Sequence, residues 1–395
     1  MSNEHIGRLS QIGLGKESAS GTGVAASVWI PKSAGNLNPK FDVKVNPSSF
    51  GVIDENKQGQ TMRVWSEIDI QGEPHDKWFG HILKALFGTE TPCVKYTLAS
   101  ISGTYTVGET VTEATTSATG LVIRNDQSAG TPALYLSIVT GTFGTGHTLT
   151  GGTSGATSTG TLVETVASTV RYHVFQTQQN NTPPSYTIYH HSPVDEDRAT
   201  YCVLNTLDIE CVSNDWAKFT AKYMGKALAS TSAQTPSYTT ENPFYGKSTT
   251  VKTASAFNSL DAASAINVEY FKLTFNKNVE AYQAFGGTGL TSLHNKQFSV
   301  KGQIKMLYNA QTQRDYLTNS TDEALRITMA NGATIGAAAT PTIQFDFPDV
   351  IFTNITIDSA NNNLIRQTLD FTATYDVSRT ETVEALLINL QTAAY

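Results

Sequence analysis

Apolar residues in this chain recur mainly at every second position, the spacing of a strand with one buried face. Met62, Val64, Ile68 and Ile70 share one parity, with Trp65 on the other. Leu207, Ile209 and Cys211 alternate ahead of Phe219-Thr220-Ala221-Lys222-Tyr223, and Ile355 and Ile357 alternate ahead of Phe371-Thr372-Ala373-Thr374-Tyr375. One short β signature is thus written twice, and two distant copies point to a doubled unit rather than a solenoid. The same alternation predicts strands over 171–175, 186–190, 199–211 and 217–224 in the first copy. In the second it predicts them over 270–275, 298–308, 324–329, 342–347, 350–357 and 364–375. A helical period stands out once: Trp78, Phe79, Ile82, Leu83, Leu86 and Phe87 form a single stripe after Pro74 and Asp76, and Gly88 closes it. Burying six such side chains stabilises by roughly 9 to 18 kcal/mol gross, so this helix must lie on a sheet. A more polar helix is placed between Ala310 and Asn319.

These patterns divide the chain. Residues 1–45 hold too few clustered apolar side chains to fold alone and read as an N-terminal arm that needs a partner surface. Residues 46–93 and 165–224 form a first β domain, and 266–395 a second. Between them, 225–265 reads as a linker rich in Ser, Thr, Pro and Gly. The texture changes over 94–164 to Thr, Gly, Ser and Ala. There Gly103-Thr104-Tyr105 returns as Gly141-Thr142-Phe143, and Gly108, Thr110, Val111 and Thr112 return as Gly146, Thr148, Leu149 and Thr150, at a constant offset of 38. This is an inserted all-β module of two similar hairpin units, and an insertion of this size belongs outside whatever the main body builds.

Composition then restricts function. The chain has 395 residues, 39% of them apolar, enough for ordinary cores. Charged residues make up 15%, against an average of about 25%, which suits a surface packed against copies of itself. With 27 basic and 34 acidic residues and no basic run, tight nucleic-acid binding is excluded, because that affinity comes from cations displacing phosphate counterions. A polar wall past which DNA slides stays compatible. No apolar run is long enough to span a bilayer, and residues 1–10 lack the order of a secretion signal. Cys93, Cys202 and Cys211 fit no zinc spacing and read as buried free thiols of a reducing compartment.

Candidate chemistry is sparse. Gly15-Lys16 suggests a phosphate loop, but Ser10 and Glu17 stand where that loop needs Gly and Ser or Thr. His190 and His191 are adjacent, which on a strand sends their rings to opposite faces. Asp195-Glu196-Asp197 after Pro193 lacks the further ligands of a calcium site and reads as a solvated turn. Asp54 and Glu55 could form a glycosidase pair only at a separation that sequence does not set. No catalytic residue, cofactor site or metal site is assigned, and the chain is read as no enzyme.

In the order of its segments the chain resembles tail tube proteins of long-tailed bacteriophages, in their larger duplicated variety. The resemblance rests on Gly15-Lys16-Glu17-Ser18 with Gly21-Thr22-Gly23-Val24-Ala25-Ala26, on Leu83-Lys84-Ala85-Leu86-Phe87-Gly88-Thr89, and on Pro184-Ser185-Tyr186-Thr187-Ile188. In the second half it rests on 297–308, Phe347-Pro348-Asp349-Val350 and Arg366-Gln367-Thr368-Leu369-Asp370-Phe371. It covers most of the chain except the 94–164 insert. The resemblance implies a mainly β fold, with two related β-sandwich or split-barrel domains, each with a flanking helix. It implies a virion protein, assembled in the host cytoplasm, that polymerises as stacked rings into the hollow conduit for DNA ejection. Rings are expected as trimers with pseudo-sixfold symmetry or as hexamers, with the 1–45 arm and the 225–265 linker reaching neighbouring rings. Partners are the protein itself and the tape measure, tail terminator and distal tail proteins. DNA passes without specific binding, and no membrane is involved. The rival reading is a tail-tip or surface protein that binds host glycans through the insert, and a polysaccharide depolymerase is the third.

Overall fold

Strands account for 53% of the chain and helices for 7%, and the two-residue period sets the buried positions of one-sided strands such as 218–225 and 366–373, while strands such as 171–177 and 323–330 are buried on both faces. The fold is that of a computed structural model, which describes residues 4–48, 50–53, 58–162, 169–319, 321–336 and 339–395. The chain opens with β1 (Gln11–Lys16), β2 (Val28–Ile30), β3 (Ala34–Val45) and β4 (Gly59–Gly72), then α1 (Phe79–Phe87) and the long β5 (Gly88–Ser102). The next five strands are β6 (Thr110–Glu113), β7 (Thr119–Asp126), β8 (Ala133–Thr140), β9 (Thr148–Gly151) and β10 (Thr157–Leu162). β11 (Arg171–Thr177), β12 (Tyr186–His191), β13 (Glu196–Val212), β14 (Lys218–Gly225) and β15 (Ala229–Ser230) follow. The second half starts with β16 (Thr249–Ala254), β17 (Ala265–Ile266), β18 (Val268–Asn276), β19 (Glu280–Tyr282), β20 (Ser292–His294) and β21 (Ser299–Leu307). It ends with α2 (Thr312–Asn319), β22 (Glu323–Ala330), β23 (Thr342–Asp358), β24 (Arg366–Ala373) and β25 (Glu384–Asn389).

The two halves share one wiring. In the first, β2 pairs β1, β1 pairs β12, β12 pairs β13, β13 pairs both β15 and β14, β14 pairs β4, and β4 pairs β3. In the second, β17, β16, β22, β23, β25, β24, β21 and β18 take those places in the same order. The repeated signature occupies β14 and β24, and its Phe faces a glycine each time: Phe219 opposite Gly72, Phe371 opposite Gly302. The reason is steric, since a Cβ on Gly302 would stand 2.2 Å from the buried Phe371 ring.

The halves are not separate globules. β13 pairs β14 on one side and β18 on the other, from Thr206 to Val212 opposite Asn276 to Tyr270. One sheet therefore runs β3–β4–β14–β13–β18–β21–β24–β23 through both halves. One hydrophobic core lies behind it and contains residues of both. α1 sits inside that core: the Phe79 and Trp78 rings meet Phe219, while the Phe87 ring meets Phe175, Phe275 and Phe298. Its residues Phe79, Ile82, Leu83, Leu86 and Phe87 are fully or almost fully buried. α2 buries none of its residues, and Tyr316 stacks on Phe352 at the sheet's surface.

Two segments differ from their sequence reading. Within 1–45, Gln11–Lys16 pairs with β12, and Ile12, Leu14, Trp29 and Ile30 are buried in the body. Glycines dilute the apolar positions there because the backbone must pass close: a Cβ on Gly15 would lie 2.3 Å from the Ala25 carbonyl oxygen. Within 225–265, Thr249–Ala254 is a paired strand, and Phe244, Val251 and Leu260 are buried. Glu241 accepts the backbone N–H groups of Lys77 and Trp78 at 3.2 and 2.9 Å, which caps the start of α1 from 163 residues away.

The outer half of β5 and β6 to β10 close a six-stranded barrel in the order β5–β8–β7–β6–β9–β10–β5. Its core is its own, with Tyr105, Val111 and Ala118 mirrored by Phe143, Leu149 and Ala156, 38 positions on. The pairing obeys the same offset: Thr110 opposite Leu121 becomes Thr148 opposite Thr159. Each repeat is thus three strands, one more than the hairpin read from sequence. The barrel springs from a hairpin of the body, because the inner half of β5 pairs β11 up to Cys93 opposite Tyr172.

A buried ionic cluster fixes the barrel to the second half. Arg124 on β7, 1% exposed, lies 2.7 Å from Glu384, 2.8 Å from Asp346 and 2.9 Å from Asp126. Arg326 joins Asp346 and Asp261, and Arg379 joins Glu381 at 2.8 Å. Five carboxylates thus face three guanidiniums, and a proton on one of the carboxyls halves the excess of two negative charges. Burial works against ionising Asp346, but Arg124 and Arg326 outweigh it and hold it below the usual carboxylate range. Burial pushes Glu384 up to about 8, with Arg124 opposing and Glu381 adding to the rise. A carboxyl raised above its unfolded value stabilises the fold fully below the ordinary carboxylate range and loses that contribution as pH rises through its folded value. The unfolding midpoint is therefore expected to fall as pH is raised from about 5 to about 9, and Glu384→Gln is expected to flatten that slope. Equal slopes for both proteins in thermal scans would refute the assignment of the proton to Glu384.

Candidate functional site

The long sheet has two unlike faces. Ile68, Ile70, Leu207, Ile209, Phe219 and Phe271 point into the core, while their neighbours Asp69, Asp208, Glu210, Lys218, Lys222 and Lys272 form a continuous polar face. Register interleaves the charges on that face. Glu210 lies opposite Lys218 on one side and Lys272 on the other, and Asp69 lies opposite Lys222. Hydrogen bonds hold the carboxylates: Thr274 Oγ1 donates to Asp208 at 2.6 Å, Tyr270 OH to Glu210 at 3.2 Å and Gln303 Nε2 to Asp370 at 2.8 Å. Burial, then the Glu210 charge, push the Tyr270 phenol up to about 12, so it stays a donor. The face is polar but nearly neutralised row by row.

The sheet also ends in two free edges. Among the described residues, β3 pairs only β4, and the stretch of β23 from Ile351 to Asp358 pairs only β24. Beyond the body, the far part of the β3–β4 hairpin exposes Phe41, Val43, Val45 and Met62, and the connection between its strands exposes Phe50, Val52 and Ile53. Unpaired edges and a protruding apolar hairpin are what an isolated monomer avoids and an assembling subunit offers.

The model of the phage tail tube protein family matches residues 7–373. The chain belongs to that family. No curated protein matches it. A tail tube protein is a structural component of the virion tail, not an enzyme, and assembles with itself and other tail proteins. No helix among the described residues is long and apolar enough to cross a membrane.

In this tail tube protein several of the residues singled out by sequence have structural partners. Lys16 Nζ donates to the Tyr395 carbonyl oxygen at 2.7 Å. His191 pairs with Glu196, and Asp195 accepts from Ser192 Oγ at 2.5 Å. The three cysteines are buried and unpaired, and burial raises each thiol, Cys211 to about 11. Asp54 and Glu55 lie outside the described residues.

Glu17, in the Gly-Lys-Glu-Ser segment that carried the resemblance, is the residue whose role sequence did not show. Its Oε1 accepts from Thr187 Oγ1 and the Tyr201 N–H, both at 2.9 Å, and its Oε2 from Ser185 Oγ and the Gly21 N–H, both at 2.7 Å. One buried carboxylate thus ties the β1–β2 connection to β12 and β13. Glu17→Ala leaves these donors without their acceptor and is expected to cost about 2 to 4 kcal/mol, with Glu17→Gln between it and wild type. Urea unfolding measures both, and an unchanged midpoint for Glu17→Ala would remove this role.

Proposed function

We propose that three copies of this chain close into a ring with pseudo-sixfold symmetry, and that rings stack into the hollow tail tube through which DNA is ejected. The observation that carries the reading is the β13–β18 pairing, which already joins one unit to the next inside a chain. The counterpart of β13 is β23 and that of β18 is β3, and these are the strands with free edges. A neighbour's β3 laid along β23 repeats the internal joint and leaves no edge unpaired. Three chains of eight strands make 24, and at about 4.8 Å per strand and a tilt near 40° the barrel measures roughly 45 to 50 Å across its backbone. The apolar face is turned outward toward the core of each subunit, so the polar face lines the bore. Its interleaved charges give phosphates no net field and few fixed contacts, which suits passage without specific binding.

On this reading the chain divides into two sister units beginning near β1 and β16, with the inserted barrel on the outer layer, continuous with β5 and away from the bore. The contact to neighbouring rings is assigned to the end of the arm, 34–45, which forms β3 of the exposed β3–β4 hairpin, while the earlier part of the arm and much of the linker fold into the body. The tape measure, tail terminator and distal tail proteins meet the tube at its bore and ends, and assembly takes place in the host cytoplasm.

Native mass measurement of a dissolved ring is expected to give three chains, and six would defeat the trimer. The glycan-binding reading is favoured only by the independence of the inserted barrel. Bridging β5 to β11 with a short turn in place of 94–164 is expected to leave hollow filaments visible by electron microscopy. Loss of all assembly on that deletion, with the body still folded, would count against the barrel as an external decoration.

A further inference from the structure

A cavity of about 430 Å³ opens where the two halves meet beside the end of α1. Lys277, directly after β18, lines it with its side chain almost wholly enclosed, at 4% exposure. Its Nζ donates to the Ala85 carbonyl oxygen at 2.9 Å, in the last turn of α1. That is one acceptor for an ammonium with three N–H groups, and no carboxylate pairs with it among the described residues. The other cation at the cavity, Lys296, is solvent-exposed and engaged with Glu280 at 3.0 Å. The cavity is also lined by amides, from Gln178, Asn180 and Asn181, and by Asn295, whose Nδ2 donates one hydrogen to the Asn180 carbonyl oxygen at 3.0 Å. Buried charges in proteins are paired, and this one has room for a partner but none in place.

We propose that the cavity is a carboxylate-binding site, with Lys277 as its cation and the surrounding amides as hydrogen-bond donors. One buried positive charge matches a single carboxylate better than a phosphate dianion, and planar amide N–H groups suit the two oxygens. Burial alone pulls the Lys277 ammonium down to about 7, so a bound carboxylate supplies what the fold leaves out. The carboxylate comes either from a small free acid or from an Asp or Glu side chain of a neighbouring copy.

The test compares sodium acetate with sodium chloride at equal ionic strength on the full chain. Thermal unfolding of the dilute protein is expected to shift upward in acetate relative to chloride, and Lys277→Met is expected to abolish the difference. An equal response in wild type and variant, or none in either, overturns the site. If Lys277→Met does not fold, NMR of the ¹⁵N-labelled lysine amines in the wild-type chain decides. Acetate is expected to raise the titration midpoint of Lys277 by about one unit and leave Lys296 unmoved, and a Lys277 midpoint that does not move overturns the proposal. The source follows from repeating the melt on assembled protein: a lost acetate response assigns the carboxylate to a neighbouring copy, and a retained one assigns it to a free acid.

Discussion

The structure depends on strand pairing that does not stop at the boundary between its halves. β13 carries β14 on one edge and β18 on the other, so the last strand of the first unit is also the frame on which the second unit begins. Because sheet edges demand partners, this joint merges two sandwiches into one sheet with one core. Phe275 shows the consequence: it belongs to the second unit, yet its ring meets Phe87 of α1 and Phe345 of β23 alike. The same demand is unmet at β3 and at the outer stretch of β23, the edges through which ring closure is proposed.

Much of this was legible in sequence where burial is one-sided. The alternation at Leu207, Ile209 and Cys211, and the repeated Phe-Thr-Ala-x-Tyr signature, marked β13, β14 and β24 because one face packs and the other meets water. α1 was legible for the same reason, although its cap at Glu241 was not, since nothing local joins residues 163 positions apart. β1 was missed where the Ala26 and Trp29 side chains and the Ala25 carbonyl come close enough to require glycine at 13 and 15, which leaves only Ile12 and Leu14 as signal. The strands of 225–265 were missed because β16 buries only Val251, and β15 and β17, of two residues each, bury none. In the barrel the 38-residue offset gave the symmetry, but its third strand per unit was hidden: Lys95 to Ser102 and Ala133 to Thr140 correspond in place while sharing little beyond Leu98 and Leu136. Of the candidate site, the polar face was visible as composition only. Which charges oppose each other is a matter of register, and register is set by pairing between strands distant in sequence.

Duplication within one polypeptide has a physical meaning beyond symmetry. Two units joined covalently lose less freedom on closing a ring than two free ones, and the internal joint is present before any neighbour arrives. It also lets the halves diverge. α1 is enclosed by both halves, whereas α2 stays polar and peripheral. The first unit extends its β3–β4 hairpin outward, whereas the matching connection of the second folds back as β19 and β20, with Leu290 and Leu293 packed near Trp65 and Val203.

The inserted barrel makes the strongest case for that divergence. It is encoded in the first unit, yet Arg124 reaches Asp346 and Glu384 of the second, and Ile123 and Tyr135 of the barrel pack in a cluster with Ile335 and Leu386. A barrel docked in this way occupies ground above both units. On the proposed ring of three chains, one barrel per pair of units would give the tube a threefold decoration over a bore lined by quasi-equivalent strands.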